Sequence, residues 1–295
     1  MKSFRIELPF AKRFRRPSRD VYSDQFIYSL LPRTRRQLWV IAAPKSGSTW
    51  LTAILENYLG WELRSLTSSF ERREQEPSLR ALADSMSAQD VLWKHQHTRF
   101  SKATLELIRR ARIWPIIQTR NLHDTVISLL DHFNHESTTC AMAYMDRQHW
   151  GQLDDEAKLQ FIIDLAMPWY FNFYAGWFTS PLLRDKIACQ CRYEDLRSDP
   201  CAELNRICRH FDLPFHPQKA SSAIERTASQ FTRLNRGVSG RGARLSEQQK
   251  ETLDRMRRYY VDVDFSTVGI PGRSQPVFPG RRDDVQGCFS GKSAA

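Results

Sequence analysis

Residues 44–50 read PKSGSTW, placing one lysine, three hydroxyls and a glycine directly after the apolar run LWVIAA at 38–43. Lys45 supplies a full positive charge, Ser46, Ser48 and Thr49 supply further donors, and Gly47 lets the backbone approach a ligand closely. Where such a turn leads from a strand into a helix, its N–H groups converge and the helix N-terminus adds partial positive charge. The chemistry this predicts is the binding of a phosphate-like anion. The order differs from the GxxxxGK[ST] loop of nucleoside triphosphatases, because here the lysine precedes the glycine.

Other residues of useful type lie further along. Arg120 closes a strand-like run, and Ser128 lies about two turns into the helix that follows. A guanidinium and a hydroxyl so placed can face one phosphate. WKHQHTRFS, 93–101, holds two histidines, His95 and His97, either of which is a possible proton acceptor. His132 and His135 lie beyond the Ser128 helix and read as acceptor-site or solvent residues. NRGVSGRG, 235–242, is a glycine-rich basic stretch, with Arg244 just after it. The aromatic run MPWYFNFYAGWF, 167–178, has helical spacing and reads as core, with the wall of an apolar cleft as the alternative.

Strands must deliver these groups to a common edge. Apolar strand-like runs recur at 38–43, 91–93, 113–117 and 187–191. Helical patterns fall near 49–59, 101–112, 122–133, 156–178, 199–211 and 246–259. Strands alternating with helices imply crossover connections and a mainly parallel sheet covered on both faces, an α/β protein. The segments 61–90 and 134–155 are left as possible lids. No internal repeat is present.

With 295 residues, 41% hydrophobic and 12% aromatic, the chain is long enough for a large buried core. No apolar run approaches the ~20 residues needed to span a bilayer. The opening MKSFRIELPFAKRFRRP has no uninterrupted apolar stretch of the secretory kind. Of the net charge of +11, +7 falls within residues 1–36. That arm is either a solvated segment or a contact for an anionic partner such as a membrane surface, an acidic glycan or nucleic acid. The six cysteines show neither CxxC pairs nor zinc-ligand spacing, which fits a reducing, cytoplasmic setting. CQC, 189–191, reads as small hydrophobes on one face of a strand.

The lysine-first loop resembles that of the sulfotransferases, which use 3′-phosphoadenosine 5′-phosphosulfate (PAPS) as donor and release adenosine 3′,5′-bisphosphate (PAP). Their loop reads PKSGTTW, and residues 44–50 differ from it only in Ser for Thr. RNLHDTVISLLDHF, 120–133, resembles the family's RNPKDVAVSYYHF, with arginine and serine at the same separation. NRGVSGRG resembles the RKGxxG loop that wraps the 3′-phosphate, with Asn235 in place of the first arginine; Arg241 and Arg244 are candidates to restore that charge. RYEDL, 192–196, is similar to a YEDM segment whose tyrosine contacts the adenine. The matched blocks run from 39 to about 250 in the family's order.

The resemblance implies a single α/β domain, here 38–265, between a basic arm, 1–37, and a flexible tail, 266–295. It implies donor contacts from Lys45, Ser46, Gly47, Ser48, Thr49, Trp50, Arg120, Ser128, Tyr193, Arg236 and Gly237, with Thr227 as a looser adenine contact. The family's KTHLP segment places the base two residues after a lysine. Register from Arg120 puts His97 there and His95 at the lysine position, whereas register from Lys94 lands on Gln96, which cannot act as a base. Lys45 is the expected partner of the leaving oxygen. No metal is expected, because the transferred group carries less negative charge than a phosphoryl group. The acceptor is a hydroxyl or amine of a small molecule, lipid or glycan, and nucleic acid is not an expected partner. Two other readings stay open: a P-loop kinase or NTP hydrolase, and a basic non-catalytic anion binder.

Overall fold

The computed structural model describes residues 28–29, 35–67, 76–84, 89–229 and 239–272. Most of the basic arm, most of the tail, Cys288 and the expected phosphate contacts Arg236 and Gly237 lie outside the described residues.

Five parallel strands form one sheet: β1 (Gln37–Ala42), β2 (Glu62–Arg64), β3 (Val91–Gln96), β4 (Trp114–Thr119) and β5 (Cys189–Arg192), in the order β2-β3-β1-β4-β5. The main helices are α1 (Ser48–Leu59), α2 (Leu79–Asp84), α3 (Lys102–Ala111), α4 (Leu122–His135), α5 (Arg147–Gln152), α6 (Asp155–Phe161), α7 (Met167–Phe178), α8 (Pro181–Arg184), α9 (Tyr193–Ser198), α10 (Pro200–His210), α11 (Pro217–Ser229) and α12 (Glu247–Arg257).

Side chains that alternate along a strand divide between the two faces of a sheet. Here both faces are apolar. Trp39 and Ile41 of β1 join Trp93 and Ile117 in a core closed by α3, α4 and α7. Leu38 and Val40 join Leu92, Ile116, Cys189 and Cys191 in a second core closed by α1, α10 and α11. The CQC stretch thus places both cysteines on one face, as its alternation predicts.

The expected elements hold, with shifted ends. The long helical pattern at 156–178 divides into α6, a π-turn at Ile162–Ala166, and α7. Pro168, near the start of α7, has no N–H to donate and its ring crowds the carbonyl four residues back. The wider turn immediately ahead of it relieves that conflict without ending the helix. Packing also extends beyond Phe265: Val268 and Ile270 are buried in the larger core.

Helix α4 is the girder of the site. Asn121 caps its start, accepting from the N–H groups of His123 and Asp124. The buried Asp124 carboxylate accepts from the N–H groups of Gly240 and Gly242 at 2.8 and 2.7 Å. Gly242 presses so close that a Cβ there would lie 2.3 Å from His123 Cβ. Arg241 pairs with Asp131, two turns further along the same face, at 2.6 Å. The end of the expected phosphate loop is therefore bolted to the same helix that carries Ser128.

Candidate active site

The carboxyl ends of β1, β3 and β4 lie side by side at the centre of the sheet, and ligands of open α/β sheets bind at such ends. From β1 springs the PKSGSTW loop, from β3 His97, and from β4 Arg120. The three groups singled out for anion binding and proton transfer therefore come from adjacent strands.

Gly47 sits at φ 82° as the residue before α1, and Lys45 also adopts a left-handed conformation, φ 61°. Side-chain caps close the starts of α3, α4, α10 and α12, whereas α1 has no side-chain cap and no acidic residue in its first turn. Its N-terminal partial charge is therefore met by neither. Ser48 and Thr49 are the first two residues of α1 and place their hydroxyls at that end.

Several buried groups brace this loop. Arg120 donates through Nη1 to the Lys45 carbonyl at 2.7 Å, and its guanidinium stacks over the Tyr193 ring at 4.4 Å. Tyr193, 2% exposed, also fills the space beneath Gly47 and meets the edge of Trp50 at 6.3 Å. From the aromatic helix α7, Tyr170 donates to the Pro44 carbonyl at 2.9 Å, and the Tyr174 hydroxyl lies 3.3 Å from Ser46 Oγ. Burial pushes the Tyr174 hydroxyl up to about 12, so it stays protonated and available as a donor. The aromatic helix is core, as its spacing predicts, but two of its hydroxyls set the shape of the anion loop.

His97 follows the last residue of β3, and its Nδ1 lies 2.8 Å from the carbonyl oxygen of Ala42, the last residue of β1. A carbonyl only accepts, so Nδ1 carries the proton and Nε2 keeps its lone pair. Burial drives the His97 pKa below its ordinary value; the Ala42 hydrogen bond opposes this, and the nearby Lys45 charge adds to the lowering. Such a histidine is held neutral and in one tautomer. His95 sits two residues earlier on the same face of β3, its ring centre 6.0 Å from that of His97 and its Nδ1 3.4 Å from Thr52 Oγ1 on α1.

Ser128 is buried on α4. Thr227 is fully buried at the contact between α11 and α1, donating to the Ala223 carbonyl and accepting from Asn57 Nδ2 at 2.8 Å. Asn57 stands seven residues beyond Trp50, about 10 Å along α1. Lys45 Nζ lies 3.2 Å from a carboxylate oxygen of Glu136, whose other oxygen is 3.1 Å from His132 Nδ1. Sequence reasoning put His132 and His135 beyond the Ser128 helix as acceptor-site or solvent residues; both lie within α4, in its last turn, and His132 is buried. It missed Glu136, a lone charged residue at the end of that helix.

The α/β sheet thus carries, at one edge, a lysine-first loop, an arginine that clamps it and a buried neutral histidine. A sequence profile described as the sulfotransferase domain matches residues 35–258, and the chain belongs to the sulfotransferase family. The fold agrees. The mouse sulfotransferase SULT7A1 complexed with PAP is similar at a TM-score of 0.58 and 13% identity, over 83% of this chain and 92% of that one. Retinol dehydratase in complex with androsterone and the inactive cofactor PAP is similar at 0.52 and 12%, over 80% and 83%. No curated protein sequence matches the chain.

The tight floor under Gly47 makes a prediction. A Cβ at this position would lie 2.5 Å from the Tyr193 ring, and L side chains rarely adopt its φ. Gly47→Ala should therefore lift the loop off Tyr193 and weaken PAP binding by about tenfold or more, with roughly 1–3 kcal/mol of lost stability. Calorimetric titration and thermal melting check it; an unchanged dissociation constant would mean that this loop does not hold the nucleotide.

Proposed function

We propose that the protein transfers a sulfuryl group from PAPS to a hydroxyl or amine of a small-molecule, lipid or glycan acceptor by in-line displacement. The observation that carries this reading is that Lys45, His97 and Arg120 stand together at one end of three adjacent strands. The residues fit the donor: the uncapped α1 terminus, Lys45 and the loop hydroxyls suit a 5′-phosphosulfate, Trp50 an adenine face, and Arg120 with Ser128 a 3′-phosphate. Arg236 and Gly237 would complete that last set. The two solved structures of like fold both contain PAP.

In the transfer, His97 Nε2 takes the proton of the acceptor as its oxygen or nitrogen bonds to sulfur. The bond from sulfur to the phosphate oxygen breaks, and Lys45 Nζ stabilises the charge left on that oxygen. The basic arm is proposed to meet an anionic surface.

PAP should stabilise the protein against heat and ATP far less, because only PAP brings a 3′-phosphate to Arg120 and Ser128. At about 100 times its dissociation constant PAP should add about 2.7 kcal/mol. Equal or greater stabilisation by ATP with magnesium would favour a kinase instead.

A further inference from the structure

All five strands are parallel, so their starts share one edge, opposite the carboxyl ends that carry the transfer site. Cations gather at that edge. The pairing of Leu38 with Trp114, continued two residues back, brings Arg36 level with Arg112 in the turn between α3 and β4. Arg109 and Arg110 lie in the last turn of α3, and Lys186 precedes β5, the strand next to β4. Phe211, just after α10, stacks at 5.6 Å on Trp114 at the start of β4, which brings Arg209 to the same edge. All six cations belong to exposed residues. The acids Glu62, Asp90, Glu106 and Asp185 are each paired with an arginine, and Asp212 near Arg209 offsets one more charge, so the edge keeps a positive excess.

The described parts of the basic arm are held at the same place. Tyr28 packs against the larger core with the Arg110 guanidinium over its ring at 5.3 Å, and Arg35 donates to Gln37 at the start of β1 at 2.8 Å. Residues 1–27 therefore join the fold at this edge. They hold seven Lys/Arg against three Asp/Glu, a balance of +4, interleaved with Phe4, Ile6, Leu8, Phe10 and Phe14. On the edge itself Ile187, beside Lys186, is 41% exposed. A nucleic acid or an acidic glycan would answer the cations but gives aliphatic side chains nowhere to bury. A bilayer with anionic lipid receives both, the cations among its phosphates and the apolar side chains in its interface.

We infer that the amino edge of the sheet, together with residues 1–27, docks on the surface of an anionic lipid bilayer. The transfer site lies at the opposite edge, so the docked protein turns it away from the lipid and toward the water-borne nucleotide. The inference names both the partner of the basic arm and the face that meets it. It does not depend on sulfuryl transfer, which PAP binding tests separately.

The test sediments the full chain with phosphatidylcholine vesicles, with and without about one third phosphatidylserine. Binding should be at least about tenfold tighter to the anionic vesicles and should weaken as salt rises. Arg109→Glu combined with Lys186→Glu should cost about twentyfold or more, at about fivefold for each cation near the surface. Deleting residues 1–27 should cost about a hundredfold or more. Phe4→Ser, Phe10→Ser and Phe14→Ser together should weaken vesicle binding and leave heparin binding unchanged. Thermal melting checks that each variant folds; if the shortened chain does not, the two full-length variants decide. Equal sedimentation with both vesicles, or binding that survives the two edge substitutions, would overturn the inference. So would an unchanged vesicle affinity in the Phe variant, or tighter retention on heparin or duplex DNA than on anionic vesicles at the same salt. PAP affinity should be the same with and without vesicles, and its loss on them would overturn the orientation. A protein that docks but does not bind PAP would overturn the sulfotransferase reading and leave this inference standing.

Discussion

His97→Ala will cut turnover by about 10²-fold or more while leaving the PAP dissociation constant nearly unchanged. The residue is fixed through Nδ1 by the Ala42 carbonyl at the root of the PKSGSTW loop, which leaves Nε2 as the unprotonated ring nitrogen. Its pKa is lowered, chiefly by burial. The basic form therefore persists below the ordinary histidine range, and activity should fall only as the pH drops through that lowered value. The acid limb of the wild-type rate profile belongs to this group and should vanish in the alanine variant's residual activity. His95→Ala is the control. Its ring lies on the same face of β3 but next to Thr52 of α1, and its loss should cost far less. An inactive His95→Ala beside an active His97→Ala would place the base one histidine earlier; two active variants would place it elsewhere.

How much of this site could be read from the chain differs residue by residue. The anion loop was legible because its parts are contiguous: a buried strand, a lysine, a glycine and an open helix start lie within a dozen residues. Arg120 and Ser128 were read as a pair; the structure puts the first at the end of β4 and the second buried within α4. The parallel sheet followed from strands that are apolar on both faces, as the separate cores of Trp39 with Ile41 and of Leu38 with Val40 explain. Helix α11 escaped notice because it buries only Ala220, Ala223 and Thr227, too small a stripe to stand out against its polar neighbours. Strand β2 is three half-buried residues at a sheet edge, inside a segment read as cover. The braces Tyr170 and Tyr174 looked like any core aromatics, since what distinguishes them is a loop more than a hundred residues away. Glu136 was hidden for the same reason: its meaning comes from Lys45, brought to it by folding alone.

Arg120 illustrates a further limit. From the sequence it is an anion contact whose removal should mainly weaken donor affinity. In the folded protein it also holds the Lys45 carbonyl and stacks on Tyr193, so Arg120→Ala loosens the loop as well. Affinity losses there will mix a lost charge with a lost shape.

Lys45→Ala separates those two effects. Lys45 already sits at φ 61°, and alanine bears the same Cβ and the same left-handed strain, so the substitution leaves the backbone problem unchanged. The Arg120 clamp acts on the backbone carbonyl at 2.7 Å and survives the change. What disappears is one ammonium, which in the proposed mechanism touches both the bound phosphate and the oxygen that leaves. An interaction present in ground and transition states lowers KM, and the part that strengthens as charge develops raises kcat. Both should therefore suffer, with kcat/KM down by roughly 10²–10³-fold and PAP affinity weakened by about tenfold, the scale of one charge-assisted hydrogen bond. Lys45→Arg should recover affinity better than turnover, because a forked guanidinium keeps the charge but not the compact position of the ammonium. Steady-state kinetics with PAP calorimetry on the three proteins distinguishes the cases. Weaker PAP binding with normal kcat would limit Lys45 to holding the donor. If neither quantity changed, the leaving oxygen would have to be stabilised by another group, and the resemblance that places Lys45 at the centre of the transfer would fail at its first residue.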